Sequence, residues 1–108
     1  MTKIKLCGIK SEEDIKVINE VLPDYIGFVF AEKSKRYISF DTAKILKSRL
    51  DNRVKAVGVF VNEDIEKIAY LVKNKIVDIV QLHGNEDESY INTLKKKINV
   101  DRKSTRLN

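Results

Sequence analysis

Lys5-Leu6-Cys7-Gly8-Ile9-Lys10-Ser11-Glu12-Glu13-Asp14 passes from strand to glycine to helix start within ten residues. Residues 3–7 alternate and are rich in Ile and Leu, the pattern of a strand. Ser11 offers a capping hydroxyl, acids fill the next turn, and Asp14 follows Ser11 by three positions. Ile15, Ile18, Val21 and Leu22 then recur at helical spacing until Pro23 stops the helix. Cys7, the only cysteine, therefore closes a strand that feeds a helix. A parallel α/β sheet presents its chemistry at the carboxyl ends of its strands. The plainer reading of a lone thiol there is a small buried hydrophobe.

The same unit recurs along the chain. Tyr25-Ile26-Gly27-Phe28-Val29-Phe30 is an unbroken apolar run of strand length, suited to a strand covered on both faces. The polar connection 31–39 is longer than a compact α/β unit needs, and long connections are often functional, which makes Arg36 a candidate. A second helix runs from Asp41 to about Leu50, and residues 54–61 read as a third strand. Asn62-Glu63-Asp64 cap a third helix that places Ile65, Ile68, Ala69, Leu71 and Val72 on one face. Residues 77–84 read as a fourth strand, and 85–88 open a fourth helix reaching about Lys97. Lys97-Ile98-Asn99-Val100 then reads as the start of a fifth strand. Strand–helix alternation implies a parallel sheet with right-handed crossovers, either an open doubly wound sheet or a (β/α)8 barrel. No Gly-x-Gly-x-x-Gly follows any strand, so a dinucleotide site has no support.

Strand periodicity places Gln81 and His83 on one face, and Lys5 and Cys7 on one face. A lysine beside the thiol would favour the reactive thiolate. His83 is the only histidine and sits at a strand's carboxyl end, as Cys7 does. A chain of 108 residues, 34% charged and 43% hydrophobic, suits one small domain with one core. The net charge of +5 is spread over helix faces and interleaved with acids, unlike the basic stripe of a nucleic-acid binder. No apolar run approaches the ~20 residues that span a bilayer. The first residues lack the apolar segment of a signal peptide, and one cysteine forms no internal disulfide, so a cytoplasmic location is expected. No Cys/His cluster suggests a metal.

Four segments taken together carry a resemblance. They are Lys5-Leu6-Cys7-Gly8-Ile9; Gly27-Phe28-Val29-Phe30 with Ser34-Lys35-Arg36-Tyr37-Ile38; Val57-Gly58-Val59-Phe60; and Val80-Gln81-Leu82-His83-Gly84-Asn85-Glu86. In this order and at strand ends they resemble the phosphoribosylanthranilate isomerases, (β/α)8-barrel enzymes of tryptophan biosynthesis. The resemblance implies a small phosphosugar substrate, N-(5-phosphoribosyl)anthranilate, and an Amadori rearrangement without cofactor or metal. It implies Cys7 as the general base at C2 of the ribose and Arg36 as the holder of the anthranilate carboxylate. His83 would line the pocket, with Gln81 beside it.

The expected fold is α/β, the N-terminal half of a (β/α)8 TIM barrel with about four βα units in residues 1–100. Family members have eight units, and their general acid, an aspartate near the end of strand 5, has no counterpart here. Asp101 lies too early to replace it. The phosphate-binding loops after strands 7 and 8 have no counterpart either. Residues 101–108 are polar and break the pattern, and read as a foreign or disordered tail. A half-barrel would leave strands 1 and 4 as open edges, inviting self-association and little or no catalysis. The competing readings are a non-catalytic open α/β binding domain of flavodoxin-like shape and another phosphosugar barrel. The barrels considered, indole-glycerol-phosphate synthase and ribulose-phosphate epimerase, use Lys/Glu or Asp/His sets at strand ends, and the Cys7-Gly8 pairing argues against them.

Overall fold

The computed structural model describes residues 5–101 and 106–107, and among side chains those of Leu6 and residues 8–98. In chain order the elements are β1 (Lys5–Cys7), α1 (Glu12–Val21), β2 (Tyr25–Val29), α2 (Phe40–Arg49) and β3 (Lys55–Phe60). They continue with α3 (Ile65–Lys73), β4 (Ile79–Leu82), α4 (Glu88–Asp101) and β5 (Arg106–Leu107). The strands form one sheet in sequential order, β1-β2-β3-β4-β5, and each pairs parallel with its neighbour. The alternation expected from the sequence is therefore present.

The helix starts follow their caps. Ser11 Oγ accepts the Asp14 amide while the Asp14 carboxylate accepts the Ser11 amide, a reciprocal capping box at the start of α1. Ser39 and Asp64 cap α2 and α3 without the reciprocal bond, their side chains accepting the amides of Thr42 and Glu66. At the other end of α1, Leu22 turns left-handed (φ 54°) and returns its N–H to Ile18, which stops the helix one residue before Pro23.

All four helices contribute to a single core. Ile15 and Ile18 of α1, Ala43 and Leu46 of α2, Ile68 and Leu71 of α3, and Leu94 and Ile98 of α4 pack with Ile26, Phe28, Ala56, Phe60 and Val80 of the strands. Val29, Val57 and Ile79 are buried but lie outside that cluster, at the alternate positions that face the other side of the sheet. Phe30 joins the layers: its ring stacks on Phe60 at 5.2 Å between centroids and meets Phe40 edge-on at 5.2 Å. Gly58 leaves the room this requires. A β-carbon there would stand 2.9 Å from both Phe60 Cε2 and Val77 Cγ2.

Two expectations are corrected. The fifth strand expected to start at residues 97–100 is helix, because α4 continues to Asp101. Leu94 and Ile98, four residues apart, are both buried, and that helical period outweighs the strand-like composition of the segment. Nor is β4 an edge strand. Arg106 and Leu107 pair with Ile79 and Val80, so the sheet's edges are β1 and β5. Of the octapeptide read as a tail, Asp101 ends α4 and Arg106–Leu107 form β5, while residues 102–105 and 108 lie outside the described residues.

Candidate functional site

The carboxyl ends of β1 to β4 lie on one end of the sheet, as parallel pairing requires. The backbone of Cys7 pairs with Gly27, and Gly27 with Val57, which in turn pairs with Ile79. The side chains of Cys7 and Lys5 lie outside the described residues, and with them the expected contact between the two.

Arg36 reaches the end of β1 through the edge of β2. Gly27 O accepts the amides of Gly8 (3.0 Å) and Ile9 (3.3 Å), and two residues later Val29 O accepts the amide of Ile38 (3.0 Å). The other edge of β2 is taken by β3, through Phe30 N–H to Val59 O at 3.0 Å. Residues 37–38 thus continue the line of β1 along the same edge of β2, and Val29 and Tyr37 form a parallel bridge. Arg36, immediately before them, falls across Gly8. An added β-carbon on Gly8 would lie 2.7 Å from Arg36 Cδ and 3.1 Å from its Cγ, and Gly8 has φ +78°.

The long connection is held by its own turns. Ala31 O accepts the Ser34 amide at 2.9 Å, Ser34 O accepts the Tyr37 amide at 3.2 Å, and Ser34 Oγ accepts the Arg36 amide at 3.1 Å. Lys10, just after β1, donates from Nζ to Lys35 O at 2.9 Å. Ser34 and Lys10 lie in stretches singled out by sequence, but their part in holding this connection depends on contacts that the sequence does not reveal.

Gln81 pairs with Val59 and is half-buried, one row further along the strands than Cys7. His83 follows β4, is exposed, and donates its amide to Phe60 O at 2.8 Å. The structure therefore brings Arg36 and the end of β1 together, and sets His83 at the end of β4 with β2 and β3 between them. Two clefts open at the carboxyl ends of β2 and β3. One, about 480 Å³, is lined by Phe30, Glu32, Lys33, Asn62 and Glu63 among others. The other, about 310 Å³, is lined by residues that include Tyr37, Asp41 and Lys67. Neither is lined by Arg36, Gln81 or His83.

Tyr90 on α4 supports this end of the molecule. Its hydroxyl donates to Glu63 O. Burial, then the nearby carboxylates of Glu86, Glu63 and Asp64, pushes its phenol up to about 12, so it stays a donor. Among the described residues no three His, Cys, Asp or Glu side chains gather as a metal site, and no helix is long and apolar enough to cross a membrane.

The family model described as N-(5'phosphoribosyl)anthranilate (PRA) isomerase matches residues 4–106. The chain belongs to the PRA isomerase family. It is 54% identical over 98 residues to the N-(5'-phosphoribosyl)anthranilate isomerase of Endomicrobium trichonymphae, covering 91% of this chain and 48% of that one. It is 55% identical over 95 residues to that of Clostridium acetobutylicum, covering 88% and 46%. The chain spans about half the length of the curated relatives it matches. The fold is similar to the PRA isomerase of Thermotoga maritima, with a TM-score of 0.82 and 41% identity over 91% of this chain and 48% of that one. A PRA isomerase solved in complex with reduced 1-(o-carboxyphenylamino)-1-deoxyribulose 5-phosphate is equally similar, with a TM-score of 0.82.

Proposed function

We propose that this chain is the front half of a (β/α)8 barrel that isomerises N-(5-phosphoribosyl)anthranilate to 1-(2-carboxyphenylamino)-1-deoxyribulose 5-phosphate. The sequential strand order and the four helices sharing one core favour a barrel wall. A doubly wound sheet reverses its strand order and places helices on both faces.

The reaction needs an acid at the ring oxygen of the ribose. Protonation there breaks the bond from C1 to that oxygen and leaves a protonated imine at C1. The imine acidifies the C2 proton, and a base of moderate strength removes it. The resulting enol then tautomerises to the ketone, with no net gain or loss of atoms or electrons. Cys7 is the base in this reading, acting as thiolate. Arg36 holds the anthranilate carboxylate with its planar fork, which a lysine does not reproduce. His83 and Gln81 line the pocket. No cofactor or metal takes part.

The observation that carries the reading is Arg36 lying across Gly8, one residue from Cys7. It supports the reading because it brings the Arg36 side chain to the end of the strand that carries Cys7. Residues 1–108 include neither the aspartate acid of strand 5 nor the phosphate loops, so this polypeptide alone is expected to be inactive. The edge strand β1, with Leu6 exposed, favours pairing of two copies. Turnover of N-(5-phosphoribosyl)anthranilate tests the assignment. A full-length chain carrying these residues should be active, and its Cys7→Ser variant should lose roughly 10²–10⁴-fold in kcat. A silent Cys7→Ser change refutes the role of base. Activity of the 108-residue polypeptide within tenfold of the full-length chain refutes its inactivity.

A further inference from the structure

Glu86 stands three residues beyond His83 and has no part in the chemistry above. Its carboxylate nevertheless joins two strand ends. Oε2 accepts the amide of Asn62 at 2.7 Å, and Oε1 accepts the amide of Gly84 at 2.9 Å. Asn62 follows β3 and Gly84 follows β4, so one side chain ties the two exits together. Asn62 completes the closure. It adopts the left-handed region (φ 49°), which asparagine tolerates, and its Oδ1 accepts the amide of Asn85 at 3.1 Å. Gly84 is packed against it: a β-carbon at position 84 would lie 3.0 Å from Asn62 Oδ1.

The amide of His83 is itself fixed on Phe60 O at 2.8 Å. The backbone on both sides of the His83 side chain is therefore held, by β3 before it and by Glu86 after it. Both Glu86 bonds are to an anionic acceptor, which is stronger than a neutral one. A glutamine cannot replace it. Its single carbonyl oxygen serves one amide, and its NH2 group would face the other N–H donor.

We infer that Glu86 is a positioning residue, which sets the strand-end backbone from which His83 meets the substrate. The inference rests on the reaction assignment given above, and the test separates the two. In an active full-length chain, Glu86→Gln should raise KM for N-(5-phosphoribosyl)anthranilate about tenfold or more, by misplacing the group that contacts the substrate. The loss should largely vanish when Glu86→Gln is added to His83→Ala, because the two changes act through one side chain. An active parent whose Glu86→Gln variant keeps kcat/KM within twofold overturns the inference and leaves the assignment standing. So do losses that add in full. An inert parent overturns the assignment instead. Native amide exchange needs no variant: the Asn62 and Gly84 amides should exchange at least tenfold more slowly than unstructured reference rates, and exchange at those rates overturns the clamp.

Discussion

The side chain of Arg36 occupies the space that a β-carbon on Gly8 would need, with Arg36 Cδ 2.7 Å from that position. Two residues far apart in sequence thus share one volume at the end of β1. Glycine answers two demands there, a backbone at φ +78° and an arginine passing directly over it.

Gly8→Ala should therefore act on both counts. The strained backbone is expected to cost about 1–2 kcal/mol, read from the denaturant midpoint. The methyl group displaces Arg36, so KM for N-(5-phosphoribosyl)anthranilate in a full-length chain should rise while kcat falls less. A Gly8→Ala enzyme with an unchanged KM would show that Arg36 is not held by this contact.

Asp78 supports the opposite end of the sheet. Its Oδ2 accepts the amide of Ala56 at 2.9 Å and meets Lys47 Nζ at 3.1 Å. Asp78→Ala strands a buried amide at the start of β3 and should cost about 1–3 kcal/mol. Because this lies at the amino ends of the strands, kcat of the folded full-length enzyme should stay within twofold. Thermal melting and steady-state kinetics on one sample separate the two effects.

Phe60 is fully buried and stacked on Phe30. Phe60→Ala should destabilise by about 3–5 kcal/mol, a large part of the whole stability of a small domain. Chemical denaturation monitored by circular dichroism measures this directly. A loss below ~1 kcal/mol would mean that the aromatic layer between β2, β3 and α2 is not the centre of the core.

Tyr90 predicts an alkaline limit. Its folded value of about 12 lies above the ordinary 10.0. A raised value means that the folded state keeps its proton longer than the unfolded one. The contribution to stability is therefore complete below pH 10 and is lost as the pH rises towards 12. The Tyr90→Phe variant should lose less stability than the parent across that window, as followed by melting temperature against pH. Equal slopes for the two proteins would contradict the assignment.

Much of the architecture was legible because it rests on local chemistry. Ser11 with Asp14, and Asp64, announce their helices through caps that involve only neighbouring residues. The apolar run 25–30 identified β2 by composition. The end of α4 was not legible in the same way. Residues 97–100 have the branched residues of a strand, and only the burial of Leu94 and Ile98 on one stripe reveals a helix. Nor could the sequence show that β4 acquires a neighbour, since the pairing with Arg106 and Leu107 joins residues distant in sequence, and those two lie in a mostly polar segment.

The candidate site divides along the same line. Position at a strand's carboxyl end singled out Cys7 and His83, and a long polar connection singled out Arg36. What holds the last two in place was hidden, because it depends on which edge of β2 the returning loop takes and on a carboxylate reaching two amides at once. Glu86 reads in the sequence as one more acid at the start of a helix.

The returning loop uses β2 as a template. Carbonyls along a single side of that strand receive first the end of β1 and then Ile38. The aliphatic stem of Arg36 lies over Gly8, so the loop and the end of β1 depend on one another for their places. A change that loosens the outermost strand β1 is therefore felt at Arg36, although Arg36 itself lies outside every strand.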